Sequence, residues 1–413
     1  MKIFKALTFS LIALLAIPTY AENGMNSPYT RFGFGQLYGM ETGANKGMGG
    51  TGIGVHNSNQ INMLNPASYA AVDTLTFLLD VGASLSNTNL AEGNVKMNAS
   101  NTTFDYVAMQ FRLMPRLGFT LGMTPFSNIG YNFSNATTIS ADEDEEVTAT
   151  NTYHGDGGLR QITAGLGYSP FKGLAIGANL SYLFGDINHY MYNQYSDANI
   201  NKRTKQYVAD ITTYAINFGL QYQANIGKNR VTIGAIYRPG HTIDDEIYII
   251  ETMSTNDTIN CSPMSVPSEY GAGLSYTYDN RLTIAADYSM QRYSAVHFFD
   301  AEGANRTRAS LGVEYIPELL TRKILRRTRY RAGVHYATAH YTVDGKPGPT
   351  EYGATIGVGL PIMNGWNGKS IVNISAQAVH IRPNAPGMIT ENTLRLNIGL
   401  SFNETWFNKW KVQ

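Results

Sequence analysis

The sequence predicts an all-β fold, a 14-stranded antiparallel transmembrane β-barrel, and three observations carry that prediction. Apolar and polar residues alternate from about Leu75 to Asn403. In one run Leu282, Ile284, Ala286, Tyr288 and Met290 share a face opposite Thr283, Ala285, Asp287, Ser289 and Gln291. Period two means strand, because successive side chains leave opposite faces. Connections then alternate in length. Those near Leu113–Arg116, Ser169–Gly173, Asn225–Asn229 and Asp279–Asn280 are tight turns. Between them lie long polar stretches at 87–102, 126–158, 190–205, 240–267, 294–306, 342–349 and 383–393. Short turns at one end and long loops at the other distinguish outer-membrane barrels from soluble sandwiches. Finally, beyond the first residues no stretch of about 18 apolar residues offers a membrane helix.

The elements follow in chain order. Residues 1–21 read as a secretory signal peptide: Lys2 and Lys5, an apolar centre from Ala6 to Ile17, and a small-residue cleavage site at Thr19-Tyr20-Ala21. No cysteine follows that site to carry a lipid. Residues 22–72 lack membrane-spanning alternation and form a separate N-terminal segment; 73–413 form the barrel. Fourteen runs reach the roughly 9–11 tilted residues a bilayer requires: 74–86, 103–113, 116–125, 159–169, 173–189, 206–224, 229–239, 268–278, 281–293, 307–316, 328–341, 350–361, 369–382 and 394–403. An even count places both termini on the periplasmic side. Two further alternating pieces, near 129–140 and 243–252, are assigned to extracellular hairpins; counted as wall, they would make sixteen strands.

Within the runs, Tyr214, Ile216, Phe218, Leu220 and Tyr222 mark a lipid-facing set, as do Leu174, Ile176, Ala178, Leu180 and Tyr182. Charges fall on the other set: Arg112, Asp287, Arg308, Glu314, Arg331 and Arg395. A charge on the lipid face near the midplane costs about 2–4 kcal/mol, so these belong to the lumen, solvated there or paired with a plug. The 41 glycines suit close packing inside the wall and the 27 tyrosines suit interfacial girdles.

Between signal peptide and first strand, Gly33, Gly35, Gly39, Gly43, Gly47, Gly49, Gly50, Gly52 and Gly54 dictate compact irregular backbone. Tyr29, Phe32, Phe34, Tyr38 and Met40 are too apolar for a free tail. The segment is therefore expected to plug the lumen, with Asn65-Pro66-Ala67 holding a turn.

The order of signal peptide, Gly47-Met48-Gly49-Gly50-Thr51-Gly52-Ile53-Gly54, Asn65-Pro66-Ala67 and fourteen strands resembles the outer-membrane long-chain fatty-acid transporter (FadL/OmpP1-like) family. Pro267 to Tyr276, Leu282 to Tyr288, Arg308 to Tyr315 and Arg331 to Val334 are similar to that family's strand pattern. The stretch Asn26-Ser27-Pro28-Tyr29-Thr30-Arg31-Phe32-Gly33 looks like divergent members from the Bacteroidetes. The resemblance implies a hatch that carries the Asn-Pro-Ala motif, and a third strand that kinks inward and opens the wall sideways. Pro115, Gly118, Gly122 and Pro125 are the kink candidates, being residues that interrupt strand pairing. It implies passive uptake of a hydrophobic, fatty-acid-like molecule by a monomer in outer-membrane lipid. Phe32, Phe34 and Phe126 are candidates for an apolar lining, although each also suits simple packing of a plug. Arg112, or another lumen arginine, is a candidate for gripping a carboxylate. One branch of the family resembles type IX secretion shuttles, so a non-transporting partner of secretion-system or surface proteins is the alternative.

Other chemistry is weak. Acidic and basic residues balance at 31 each, which argues for no nucleic-acid partner. Asp142-Glu143-Asp144-Glu145-Glu146 lacks the spacing of a calcium loop. Arg322, Lys323, Arg326, Arg327 and Arg329 cluster at a predicted periplasmic connection, where they suit either lipid phosphates or plain solubility. His189, His241, His297, His335, His340 and His380 are scattered, and Cys261 is alone. No catalytic group, metal site or cofactor is expected.

Overall fold

The computed structural model describes residues 25–405 apart from 143–144, 198, 244–246, 253–255, 262, 300, 322 and 363–368. The expected signal peptide, Glu143 and Asp144 of the acidic cluster, and Arg322 lie outside the described residues.

Fourteen antiparallel strands close into one barrel. They are β1 (Thr76–Glu92), β2 (Val95–Met114), β3 (Leu117–Pro125), β4 (Glu145–Phe171), β5 (Leu174–Tyr195), β6 (Arg203–Ile226) and β7 (Asn229–Arg238). The second half is β8 (Glu269–Tyr278), β9 (Leu282–Gln291), β10 (Arg306–Tyr315), β11 (Arg329–Thr338), β12 (Thr350–Pro361), β13 (Ile371–Arg382) and β14 (Thr390–Thr405). Each pairs with its sequence neighbours, and the ring closes where Thr76 of β1 meets Thr405 of β14. Closure matters because lipid offers no partner for an unpaired backbone edge. Among the described residues no helix is long and apolar enough to cross a membrane.

Turn chemistry fixes the short end. Asp279 and Asn280 both take positive φ between β8 and β9, as a tight hairpin turn requires. Arg116, Gly173 and Gly227 do so in the turns after β2, β4 and β6. On the outside, Phe218, Leu220 and Tyr222 of β6 stand beside Ile176 and Leu180 of β5, all well exposed. That apolar band is what lipid covers.

The two extra alternating pieces do not enter the ring. Ser127–Asp142 is an arm laid along the outer half of β4, and Ile247–Thr252 lies along the outer half of β6. The stretch 87–102, expected as an open loop, is instead a continuation of β1 and β2 to a turn at Gly93. Asparagine, serine and threonine hide it: Asn87 and Asn98 exchange amide hydrogen bonds at 2.9 Å across the pair. Such cross-strand pairs stabilise a sheet with no apolar face to advertise it.

Candidate functional site: the N-terminal segment and the break beside β3

Residues 25–72 touch the inner side of the wall nearly all the way around, and glycine makes the approach close enough. A Cβ at Gly177 of β5 would meet the Pro66 backbone at 2.4 Å. At Gly219 of β6 it would meet Asn65 Oδ1 at 2.1 Å, and at Gly118 of β3 it would meet Tyr69 O at 2.0 Å. A Cβ at Gly122 would press on Met63. Pro66–Ala71 forms a 3-10 turn capped by Asn65, whose Oδ1 accepts from the Ala67 N–H at 3.0 Å. Asn65 Nδ2 donates to Ile53 O at 2.9 Å and to Leu220 O of the wall at 3.2 Å. The turn is thus tied both to its own segment and to β6.

Inward charges hold the rest. Asp287 of β9 accepts from three consecutive N–H groups, Gly52 at 2.6 Å, Ile53 at 2.8 Å and Gly54 at 3.4 Å. Arg331 of β11 bridges Glu314 of β10 at 2.7 Å, Asn373 at 2.6 Å and Gln60 of the segment at 3.2 Å. Arg308 pairs with Glu41 at 2.8 Å, and Lys46 with Asp105 at 2.6 Å. Burial pushes the Glu41 carboxyl up, but Arg308 and Lys46 outweigh it and hold it below the usual range. Burial lowers the Lys46 ammonium against the opposing pull of Asp105.

Asp105 is available because of a β-bulge. Between β1 and β2 the register slips at Gly82/Ala83, so Asp105 is an extra residue and both it and Tyr106 turn inward. Tyr106 then donates to Asp80 at 2.8 Å and accepts from the Gly43 N–H at 2.7 Å, anchoring the short helix α1 (Gly43–Gly47).

The bulge lies where the wall comes apart. β2 and β3 pair from Met114↔Leu117 only as far as Val107↔Met123. Beyond that point β2 pairs with β1 alone, and the arm that follows Pro125 pairs with β4. Pro125 ends β3 opposite Arg160. The N-terminal segment occupies the interval instead. Gln36 and Leu37 pair with Asn128 and Ser127 of the arm, and the Ser27 N–H donates to Gly130 O at 3.0 Å. Asn26 Nδ2 reaches across to Asn101 Oδ1 of β2 at 3.0 Å. The described start of the chain is therefore at the long-loop end, whereas β14 finishes at the short-turn end.

Above this break sits an apolar cluster that the loops supply. Phe34 packs edge-on to Phe126 at 6.0 Å and to Phe298 at 5.2 Å, with Tyr293 at 6.2 Å. Leu159, Leu183 and Ile187 close it from the wall. Phe32 lies beside the cluster, stacked on Tyr341 at 5.2 Å. His340, tilted on Tyr293 at 4.9 Å, is held by burial at a pKa of about 3. Gly33 has φ +58 and faces that ring; a Cβ there would meet His340 Nε2 at 2.6 Å.

Arg112 is not among these residues. It sits near the short-turn end, donating to Thr74 at 2.6 Å and to Met114 O at 3.2 Å. Seven positions of β3 separate its partner Gly118 from Pro125, about 23 Å of strand. Arg306 and Arg308 line a cavity of about 100 Å³ with Phe126 and Tyr293 of the aromatic cluster, and Arg395 joins them around an adjoining cavity of about 70 Å³ with Tyr38, Glu41 and Glu391. Sequence reading missed Asp105, Lys46 and the loop aromatics Tyr293, Phe298 and Phe299.

A family model described as BamG matches residues 3–413. The chain belongs to the BamG family. No curated protein matches it. Among solved structures it is similar to a Pseudomonas aeruginosa FadL homologue, at 12% identity over 90% of this chain and 99% of that one, TM-score 0.61. The CymD monoaromatic hydrocarbon channel matches at 15% identity over 91% and 100%, TM-score 0.58. The P. putida toluene transporter TodX matches at 13% over 88% and 98%, TM-score 0.58. This BamG-family chain thus has the FadL-like barrel fold, and a barrel of this kind with an apolar outer band points to the outer membrane.

Proposed function

We propose that this protein is a passive outer-membrane channel for hydrophobic small molecules. Residues 22–72 act as its hatch, and the short turns face the periplasm. The observation that carries the reading is the missing backbone pairing between the outer half of β2 and the arm after Pro125. An apolar molecule needs a way into the bilayer, not into water, and a sideways break supplies one. Pro125, Gly118 and Gly122 make that strand yield: proline cannot donate to a ladder, and the two glycines let the hatch press against it. The similarity in fold to the toluene transporter and the monoaromatic hydrocarbon channel supports the same substrate class.

A ligand would enter among Phe32, Phe34 and Phe126, where loop and hatch aromatics already exclude water. For a fatty-acid-like amphiphile, Arg306 and Arg395 are better placed than Arg112 to meet the head group. The hatch would then shift locally, at residues 26–38, to uncover the break. The Asn65-Pro66-Ala67 turn stays put as its anchor. Purified protein should bind a long-chain amphiphile, and F32N/F34N should weaken that binding about tenfold or more, given about 1.5–3 kcal/mol per buried apolar side chain. No binding of fatty acids, detergents or aromatic hydrocarbons by the unmodified protein would overturn the proposal.

A further inference from the structure

The connection from Ile316 to Thr328, thirteen residues between β10 and β11, is longer than the other links between strands at the short-turn end, the nine-residue one after β12 included. At the short-turn end, the links after β2, β4, β6 and β8 hold only two or three residues. This one folds back on itself, the Glu318 N–H donating to Arg326 O at 2.8 Å, and contains a single helical turn, α2 (Ile324–Arg327). It leaves large apolar side chains in the open: Leu320 is 97% exposed and Leu325 72%. Tyr330, an outward-facing residue at the base of β11, donates from its hydroxyl to Leu325 O at 3.1 Å. The connection is thereby fastened to the outer, lipid-facing side of the wall. Lys323 and Arg326 are exposed beside these leucines, with Arg327 partly so. The one carboxylate in the connection, Glu318, is taken by Arg326 at 3.3 Å.

Exposed leucines next to an interfacial tyrosine, with cations one turn away, match the layering of a bilayer edge. The apolar groups enter the acyl boundary while ammonium and guanidinium groups stay level with phosphate. A solvated loop would need the cations but not the leucines. A protein-binding loop would not need to be fastened to the lipid-facing wall. We propose that residues 316–321 and 323–328 are a docking surface for the anionic phospholipid headgroups of the leaflet at the short-turn end. That leaflet is periplasmic in the orientation proposed above, and only this naming of the leaflet rests on that orientation.

The test uses the full-length barrel in vesicles of phosphatidylcholine alone or mixed with phosphatidylglycerol. A spin label at position 320 (Leu320→Cys in a Cys261→Ser background) should show the oxygen accessibility of a lipid-embedded site. In detergent, K323Q, R326Q and R327Q should each weaken phosphatidylglycerol binding about fivefold and leave phosphatidylcholine binding unchanged. Should any of these variants fail to fold, as judged by its heat-modifiable gel shift, the label still decides the matter with Lys323, Arg326 and Arg327 in place. A label that stays aqueous in both vesicles overturns the proposal. So does one that becomes shielded only when a periplasmic extract is added, since that marks a protein surface.

Discussion

Asp287 holds three consecutive backbone N–H groups of the N-terminal segment from one buried carboxylate. Hydrogen bonds to a charged group contribute about 1.5–3 kcal/mol, and alanine leaves three buried donors without a partner. D287A should therefore loosen residues 52–54 by roughly 3 kcal/mol, read as faster amide exchange there with the β-sheet spectrum unchanged. His340 sets a pH dependence of opposite location, at the loops. Its folded pKa, about 3, lies below the unfolded value near 6.5. Stability from the neutral ring is thus complete above pH 6.5 and is lost as pH falls toward 3. Protection factors, meaning exchange corrected for its intrinsic slowing at low pH, should fall around residues 293–299 and 339–341 on moving from pH 7 to pH 4, and an H340F variant should remove the effect. Asp287, Arg308 and Arg331 were legible as inward charges because they fall on the polar phase of the apolar-polar alternation. Lys46 and Asp105 were not. Phe104 and Val107 both face outward three positions apart, and that slip in phase was the only sequence trace of the bulge.

At the level of elements, each of the fourteen predicted runs overlaps a strand, because a lipid face enforces period two, but β1, β2, β4 and β5 continue six to fourteen residues beyond the runs at the long-loop end. The failures lie beyond the membrane, where strands carry no apolar face. Residues 87–102 read as a loop but extend the β1–β2 ladder through asparagine and threonine pairs, and the piece near 129–140, read as part of a loop hairpin, pairs with the outer half of β4. The order of the loop aromatics was hidden for another reason: Phe34, Phe126 and the pair Tyr293 and Phe298 meet only after the barrel has brought three distant segments to one mouth. The wall glycines are testable as parts of these elements. Valine at Gly177 would drive a Cβ to 2.4 Å from the Pro66 backbone. G177V should cost about 1–3 kcal/mol through overpacking. Faster exchange at residues 61–70 with β4–β6 pairing intact would fit this; unchanged exchange would mean the turn rests elsewhere.

For the whole molecule, a closed ring needs no plug to stay closed, since every strand has two neighbours over its short-turn half. Deleting residues 22–72 should leave a barrel that still shows a heat-modifiable gel shift but conducts ions far more freely in planar bilayers. Equal conductance would place the segment outside the lumen. Sideways uptake itself is most directly measured with a cross-link across the break. The Asn26 and Asn101 side chains meet at 3.0 Å, so the cysteines of N26C/N101C in a Cys261→Ser background should be bridged by a short bis-methanethiosulfonate reagent, whose disulfides pin the segment between β2 and the arm. In proteoliposomes, uptake of a long-chain fatty acid or toluene should stop on cross-linking and return on reduction. Uptake that is indifferent to the cross-link would contradict a route through the wall beside β3.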